Sequence, residues 1–384
     1  MSTLTPLQAA EFADLVYEAK DVSTLDEIAF PTSLMTQYIF SNKAVEPIKG
    51  RSGSPLLKSK GFVLPAFGIG LTNKDDLVLS FRGTAGKRDV VTDLNCGFSG
   101  ADCGSVVHSG FNNTFNSFKD ELIPLVKSIK PGNTIHCVGH SLGGALASLA
   151  ADWIRRHYHR DVKLYTFGSP RVGTEGFSRS TTNLLTHNNI YRCVNGGDPI
   201  TMIPVWPFLH APHEGIAYFC SSEMTIINPL QHKMVRYIDN VKTHDWNKLE
   251  VGLGDDYLKK VYLKQENASW VRRTLNWAKR ISQALVTLLY DAGPKGAGLM
   301  AMASVGNTLN LFDRISMILH DEYVIQKPHS QQHLQGLLAH MMTFCGYSVG
   351  RAVEMSVKNI RWIFGKMMDK LQRMAKEALD IVSL

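Results

Sequence analysis

The stretch that most constrains this chain is Gly139-His140-Ser141-Leu142-Gly143, set between the apolar run 135–138 and the alanine-rich run 145–151. It reads as a strand, a sharp turn and a helix, with a serine at the turn. Glycines two before and two after the serine remove the Cβ atoms that would clash in so tight a turn. The serine hydroxyl then stands clear of the sheet, at the positive end of the helix that follows. This is the geometry of a nucleophile elbow. The alternative is a glycine-rich helix start whose serine only caps.

Strand-like runs at 77–81, 135–138, 162–167 and 190–194 alternate with helical stretches at 115–129 and 142–158. Alternation of that kind predicts a mostly parallel, doubly wound sheet, with the chemistry at the carboxyl ends of the strands. Residues 4–20 read as an amphipathic helix opened by Thr5-Pro6, and the Ser/Gly/Pro cluster at 50–55 as a loop. After about residue 255 strand signals vanish. The rest reads as helices broken at 293–298 and at Lys327-Pro328. In the last of them Val353, Val357, Ile360, Phe364, Met367, Leu371, Met374, Ala378 and Ile381 follow alternating steps of four and three, a heptad seam. Residues 1–255 and 256–384 are therefore read as two units, an α/β domain and a C-terminal all-helical extension.

Composition excludes more than it assigns. The net charge of +7 over 384 residues is mildly basic, without the dense Lys/Arg tracts and interleaved aromatics that nucleic acid would call for. Attraction to anionic membrane surfaces suits that charge better. No window has the roughly 18 apolar residues of a spanning helix. Residues 1–20 lack the basic and apolar regions of a secretory signal, so the expectation is synthesis and folding in the cytoplasm. The six cysteines (Cys96, Cys103, Cys137, Cys193, Cys220, Cys345) show no metal-ligand spacing and are expected as free thiols, with only Cys96 and Cys103 close enough in sequence to invite a disulfide. No metal or cofactor is expected.

A serine hydroxyl is a weak nucleophile and needs a base, and the base needs an orienting acid. In α/β-hydrolases the chain order is Ser, then Asp or Glu, then His. Downstream of Ser141 the acid candidate is Asp198, in Asn195-Gly196-Gly197-Asp198-Pro199 directly after the strand 190–194. The competing reading is a turn-forming aspartate. For the base, His210, His213, His232, His244 and His320 all remain open on position alone.

Five motifs occur in order: Phe81-Arg82-Gly83-Thr84, Val107-His108-Ser109-Gly110-Phe111, the elbow continued through Gly144-Ala145-Leu146-Ala147, Tyr165-Thr166-Phe167-Gly168-Ser169-Pro170-Arg171-Val172-Gly173, and Gly197-Asp198-Pro199. Together they resemble the class 3 lipases, over about residues 5–255. The resemblance implies the α/β-hydrolase fold with a mostly parallel central sheet and a Ser141, Asp198, His232 triad acting on lipid esters. His232 is favoured because His232-Lys233-Met234-Val235-Arg236-Tyr237 matches the family's His-x-Met-x-x-Tyr form; His320, in His320-Asp321-Glu322-Tyr323, fits a looser form and stands second. The same likeness implies an oxyanion hole from the backbone N–H groups of Thr84 and Leu142, a structural role for His213, local packing or hydrogen bonding for His140, and over residues 85–96 a lid, where an ordinary surface helix fits the residues equally.

The helical extension lies outside the likeness. It is read as packing on the catalytic unit, lying on an anionic bilayer, or docking another protein. Bacterial members with extra helices resemble antibacterial effectors of type VI secretion. That implies a protein exported to a target cell membrane, with lipid there as substrate and an immunity, chaperone or secretion partner on the helical tail. The competing class is a membrane-active or partner-binding helical protein carrying an inert hydrolase domain.

Overall fold

The structure, a computed structural model, describes residues 2–20, 28–40, 48–51, 58–83, 97–253, 259–296, 308–350 and 353–382. Its strands are β1 (Tyr38–Ile39), β2 (Ile48–Arg51), β3 (Lys58–Gly68), β4 (Leu77–Phe81), β5 (Phe98–Gly100), β6 (Val106–His108), β7 (Thr134–His140), β8 (Asp161–Phe167), β9 (Ile190–Asn195), β10 (Ile216–Ser221) and β11 (Glu250–Leu253). Each apolar run predicted as a strand is a strand. β4, β7, β8, β9 and β10 pair side by side in parallel. β3 and β11 close this parallel core antiparallel on its two sides, and β1 and β2 add to β3. β5 and β6 form a separate ribbon. This is the α/β-hydrolase arrangement, a mostly parallel sheet with its elbow at the end of β7.

Every residue of β4 and β7 is buried. A continuous apolar run, rather than an alternating one, is what a strand covered on both faces requires. Alternate residues still face opposite ways. Leu79, Ile135 and Cys137 join one apolar cluster with the helix Leu142–Tyr158, while Val78 and Val138 join another with the helix Pro6–Leu15. Paired registers Phe81↔Gly139 and His140↔Phe167 bring the carboxyl ends of β4, β7 and β8 level with one another.

The helices are α1 (Pro6–Leu15), α2 (Thr32–Met35), α3 (Ser109–Asn116), α4 (Ile123–Ser128), α5 (Leu142–Tyr158), α6 (Glu175–Leu185), α7 (Met234–Val241), α8 (Leu275–Asp291), α9 (Thr308–His320), α10 (Gln331–Cys345) and α11 (Val357–Val382). Thr5 and Gln8 form a reciprocal capping box at the start of α1, with Pro6 in the first turn, which is the start signal Thr5-Pro6 announced. The single helix expected over 115–129 is instead broken into the end of α3, a 3-10 turn at Lys119–Leu122 and α4. Pro124 lacks the N–H that a helix running through this point would need.

Beyond β11 the described residues hold helices only, apart from short turns. Ile360, Phe364, Met367, Leu371, Met374 and Ala378 are buried, so the heptad seam is the inner face of α11. That face packs on α9 and α10, and on the turns Pro199–Met202 and Pro229–His232 of the sheet region. One apolar cluster runs from Phe81 and Leu146 through Met202 and Trp206 to Leu337, Phe364 and Leu371. Where the two regions meet, a cavity of about 210 Å³ is lined by Trp206, Phe208, Phe312, Arg361 and Met368 among others. Among the described residues no helix is long and apolar enough to cross a membrane. Cys103, Cys137, Cys193, Cys220 and Cys345 are free thiols.

Candidate active site

Ser141 sits between β7 and α5 with φ 57° and ψ −132°, a backbone conformation that costs a non-glycine residue of order 1–3 kcal/mol. Two glycines make the turn sterically feasible. A Cβ on Gly139 would stand 2.2 Å from the Gly143 carbonyl oxygen, and one on Gly143 would stand 2.0 Å from that of Phe81. The turn is tied to the sheet by the Ser141 N–H, which donates to the Phe167 carbonyl at 3.0 Å. Leu142 opens α5, where the N–H has no acceptor within its own helix.

Asp198 follows β9 and caps the 3-10 turn Pro199–Met202, its Oδ1 accepting the Ile200 N–H at 2.9 Å. His232 ends the turn Pro229–His232, itself capped by Asn228. The topology brings these two turns to Ser141. His232 Nδ1 lies 2.8 Å from Asp198 Oδ2, and His232 Nε2 lies 2.9 Å from Ser141 Oγ. A carboxylate can only accept, so Nδ1 carries the proton and Nε2 is left to accept from the serine hydroxyl. Asp198 and His232 are fully buried and Ser141 is 2% exposed. Low local dielectric strengthens each bond in such a chain.

Two tyrosines that sequence reasoning missed complete the surroundings. Tyr237 Oη donates to Asp198 Oδ2 at 2.7 Å and accepts the Asn195 N–H at 3.1 Å. Burial, and next the negative charge of Asp198, raise its pKa well above the ordinary tyrosine value, so it remains a donor. Tyr17, just past α1, lies 2.9 Å from His140 Nδ1, and His140 Nε2 lies 2.7 Å from the His232 carbonyl. A carbonyl only accepts, so His140 donates through Nε2 and its Nδ1 accepts a hydrogen bond from the Tyr17 hydroxyl. Burial, with the His232 ring beside it, lowers the His140 pKa well below 6.5 and keeps it neutral. Tyr237 lies inside the motif that pointed to His232. Tyr17 gave no signal, because its partner is more than a hundred residues away.

The remaining histidines lie elsewhere. His210 is buried, with Nε2 donating to the Thr201 carbonyl at 2.9 Å. His213 faces Glu175 and Glu214, and His244 faces Thr243. His320 ends α9; the polar bonds of Ser141 and Asp198 go to His232 instead. Thr84, Cys96 and the expected lid at 85–96 lie outside the described residues. The chain leading to Thr84 does reach the site, since a Cβ on Gly83 would stand 3.3 Å from Ser141 Cβ.

Residues 78–208 match the family model described as Lipase (class 3). Secreted mono- and diacylglycerol lipase 1 of Fusarium solani is 32% identical over 148 residues, which cover 37% of this chain and 44% of that protein. Toxin TseL of Vibrio cholerae is 32% identical over 198 residues, covering 50% of this chain and 29% of the toxin. The chain thus spans less than half the length of these relatives. Among solved structures, the triacylglyceride lipase of Rhizomucor miehei is 23% identical, covering 56% of this chain and 80% of that one at a TM-score of 0.40, a likeness that carries no further argument. All five ordered motifs lie within residues 78–208, the part of this chain that is similar to the class 3 lipases.

Proposed function

We propose that this chain hydrolyses carboxylic esters of lipids, with Ser141 as nucleophile, His232 as general base and Asp198 as the acid that orients it. The observation that carries this reading is the unbroken buried chain Asp198–His232–Ser141, at 2.8 and 2.9 Å. His232 takes the serine proton as Oγ attacks the ester carbonyl carbon. The positive charge that develops on the imidazole is balanced by Asp198, which also accepts from Tyr237 and Ile200. The N–H groups of Leu142 and Thr84 receive the oxyanion. His232 then returns the proton to the leaving alcohol, and water, activated by the same base, clears the acyl-enzyme.

Residues 1–255 are the catalytic unit in this reading and residues 256–384 a helical extension. The substrates are acylglycerols or phospholipids, the classes of the fungal lipases and of the Arabidopsis thaliana phospholipase A(1) that is 32% identical over 159 residues. Likeness over half of this chain to a protein named a toxin supports an exported effector that attacks the phospholipid of a target cell, with an immunity, chaperone or secretion partner on the helical tail.

The test is fatty-acid release from phospholipid vesicles and from a triglyceride emulsion, by the wild type and by Ser141→Ala. A loss of roughly a thousandfold or more on Ser141→Ala, with the melting temperature unchanged, is the expected result. Release that survives the substitution overturns the assignment of the nucleophile. Release from triglyceride alone overturns the membrane-attacking role.

A further inference from the structure

Helix α11 has a second face, opposite its buried seam. Lys358, Trp362, Lys366, Lys370 and Arg373 follow steps of four, four, four and three, so at 3.6 residues per turn they form a row along about 22 Å of helix, away from the buried seam. Lys376 extends the row by one more cation. Asp369 is the acid within it, and Glu377 and Asp380 follow in the last turns. From Lys358 to Lys376 the row therefore holds five cations to one carboxylate.

Several cations elsewhere on the helical extension are matched by carboxylates: Lys260 with Asp291, Lys295 with Asp321, Lys327 with Glu322, and on α11 itself Arg361 with Asp313. Among the described residues no carboxylate pairs with Lys358, Lys366, Lys370, Arg373 or Lys376. Like charges one turn apart repel, so the row favours an anionic partner that would relieve the repulsion. At the start of the row is an aromatic pair. Trp362 is 43% exposed and Tyr347 40%, with ring centroids 5.5 Å apart, and Lys366 Nζ lies 5.7 Å from the Trp362 centroid.

From this arrangement we infer that the outer row of α11 is a docking surface for an anionic lipid bilayer. A bilayer of that kind attracts lysine and arginine at its surface, and its headgroup boundary is where tryptophan and tyrosine, apolar with one polar edge, settle. An acidic protein would complement both the charge and the aromatic pair; a straight row of cations along about 22 Å, with the aromatic pair at one end, suits the plane of a bilayer. The inference rests on the lipid-ester reading for its purpose, by holding the catalytic unit against the substrate phase, and on α11 alone for its geometry.

The experiment uses the full chain carrying Ser141→Ala, so that vesicles stay intact, in co-sedimentation with phosphatidylcholine vesicles with and without phosphatidylglycerol. Binding is expected to the anionic vesicles only and to fall as salt is raised. The triple variant Lys366→Glu, Lys370→Glu, Arg373→Glu is expected to bind about a hundredfold more weakly. The milder pair Lys358→Gln, Arg373→Gln is expected to fall several-fold, and Trp362→Ala to weaken binding without changing its salt dependence. In an otherwise wild-type chain these variants are expected to retain their melting temperature and their hydrolysis of a soluble short-chain ester. Equal binding to neutral vesicles, or binding indifferent to charge reversal, overturns the inference. So does failure to bind vesicles while an acidic protein is bound instead. A chain that docks but cleaves nothing breaks the catalytic reading; one that cleaves soluble ester but does not dock breaks this one.

Discussion

The sheet region and the helical extension bury different chemistry. Beside the carboxyl ends of β7, β8 and β9 the interior holds His140, Ser141, Asn195, Asp198, His232 and Tyr237, joined to one another by hydrogen bonds. Along α11 the interior is Ile360, Phe364, Met367, Leu371, Met374 and Ala378, without a polar group. Buried polar groups are stabilising only when each finds its partner, so the first region depends on geometry from many parts of the chain. The second depends on volume and periodicity along one helix. Mutation at the first is therefore expected to cost function ahead of stability, and at the second the reverse.

The largest stability effect that separates the two is expected from Leu371→Ala, at about 3 kcal/mol, read as a lower denaturant midpoint while the folded fraction keeps its ester-hydrolysis rate. An unchanged midpoint would mean that the extension is not part of the cooperative core. Next comes a pair of glycines. Gly143→Ala drives a Cβ into the Phe81 carbonyl and is expected to cost about 2–3 kcal/mol together with most of the activity. Gly365→Ala in α11 meets nothing within 4 Å and is expected to stabilise by about 0.5–1 kcal/mol. If both behave alike, the contrast between the regions fails.

Tyr237→Phe removes one donor to Asp198 and leaves its ring in place. It is expected to lower the hydrolysis rate about tenfold, an effect of about 1.4 kcal/mol, with little change in substrate affinity. A pure stability loss with the rate intact would show that Tyr237 packs rather than positions. The remaining effect is one of pH. His140 is neutral in the fold because its pKa is lowered, whereas the unfolded chain takes up a proton near 6.5. Its contribution is therefore complete above pH 6.5 and declines as pH falls below that value, by at most about 1.4 kcal/mol per pH unit. The buried His136, also lowered by burial, acts in the same direction. His140→Gln is expected to flatten the dependence of melting temperature on pH between about 6.5 and 5; an unaltered slope would assign it to His136.

Local signals carried a large part of this molecule. Apolar runs without alternation marked β4, β7, β8 and β9 because those strands are covered on both faces. β3, with a glycine and Pro65 inside it, and β10, with a weaker burial pattern, carry no such signature and were not predicted. The heptad seam was legible since helix periodicity records which face is buried. At the site, Ser141 and Asp198 could be found from the turns that hold them. His232 could be separated from four other histidines only by family likeness, because a histidine's role depends on what lies across from it and not on its neighbours in the chain.

The sequence by itself determined the elbow, the parallel strands that flank it and the two-faced helix at the end, since each is a matter of sterics or periodicity within a few residues. The tertiary structure alone decided that the turns at Asp198 and His232 meet Ser141, that Tyr17 and Tyr237 close the polar cluster, and that α11 packs against the very turns carrying the acid and the base. Those contacts join groups 34 to 123 residues apart, and only the folded path of the chain fixes distances over such separations.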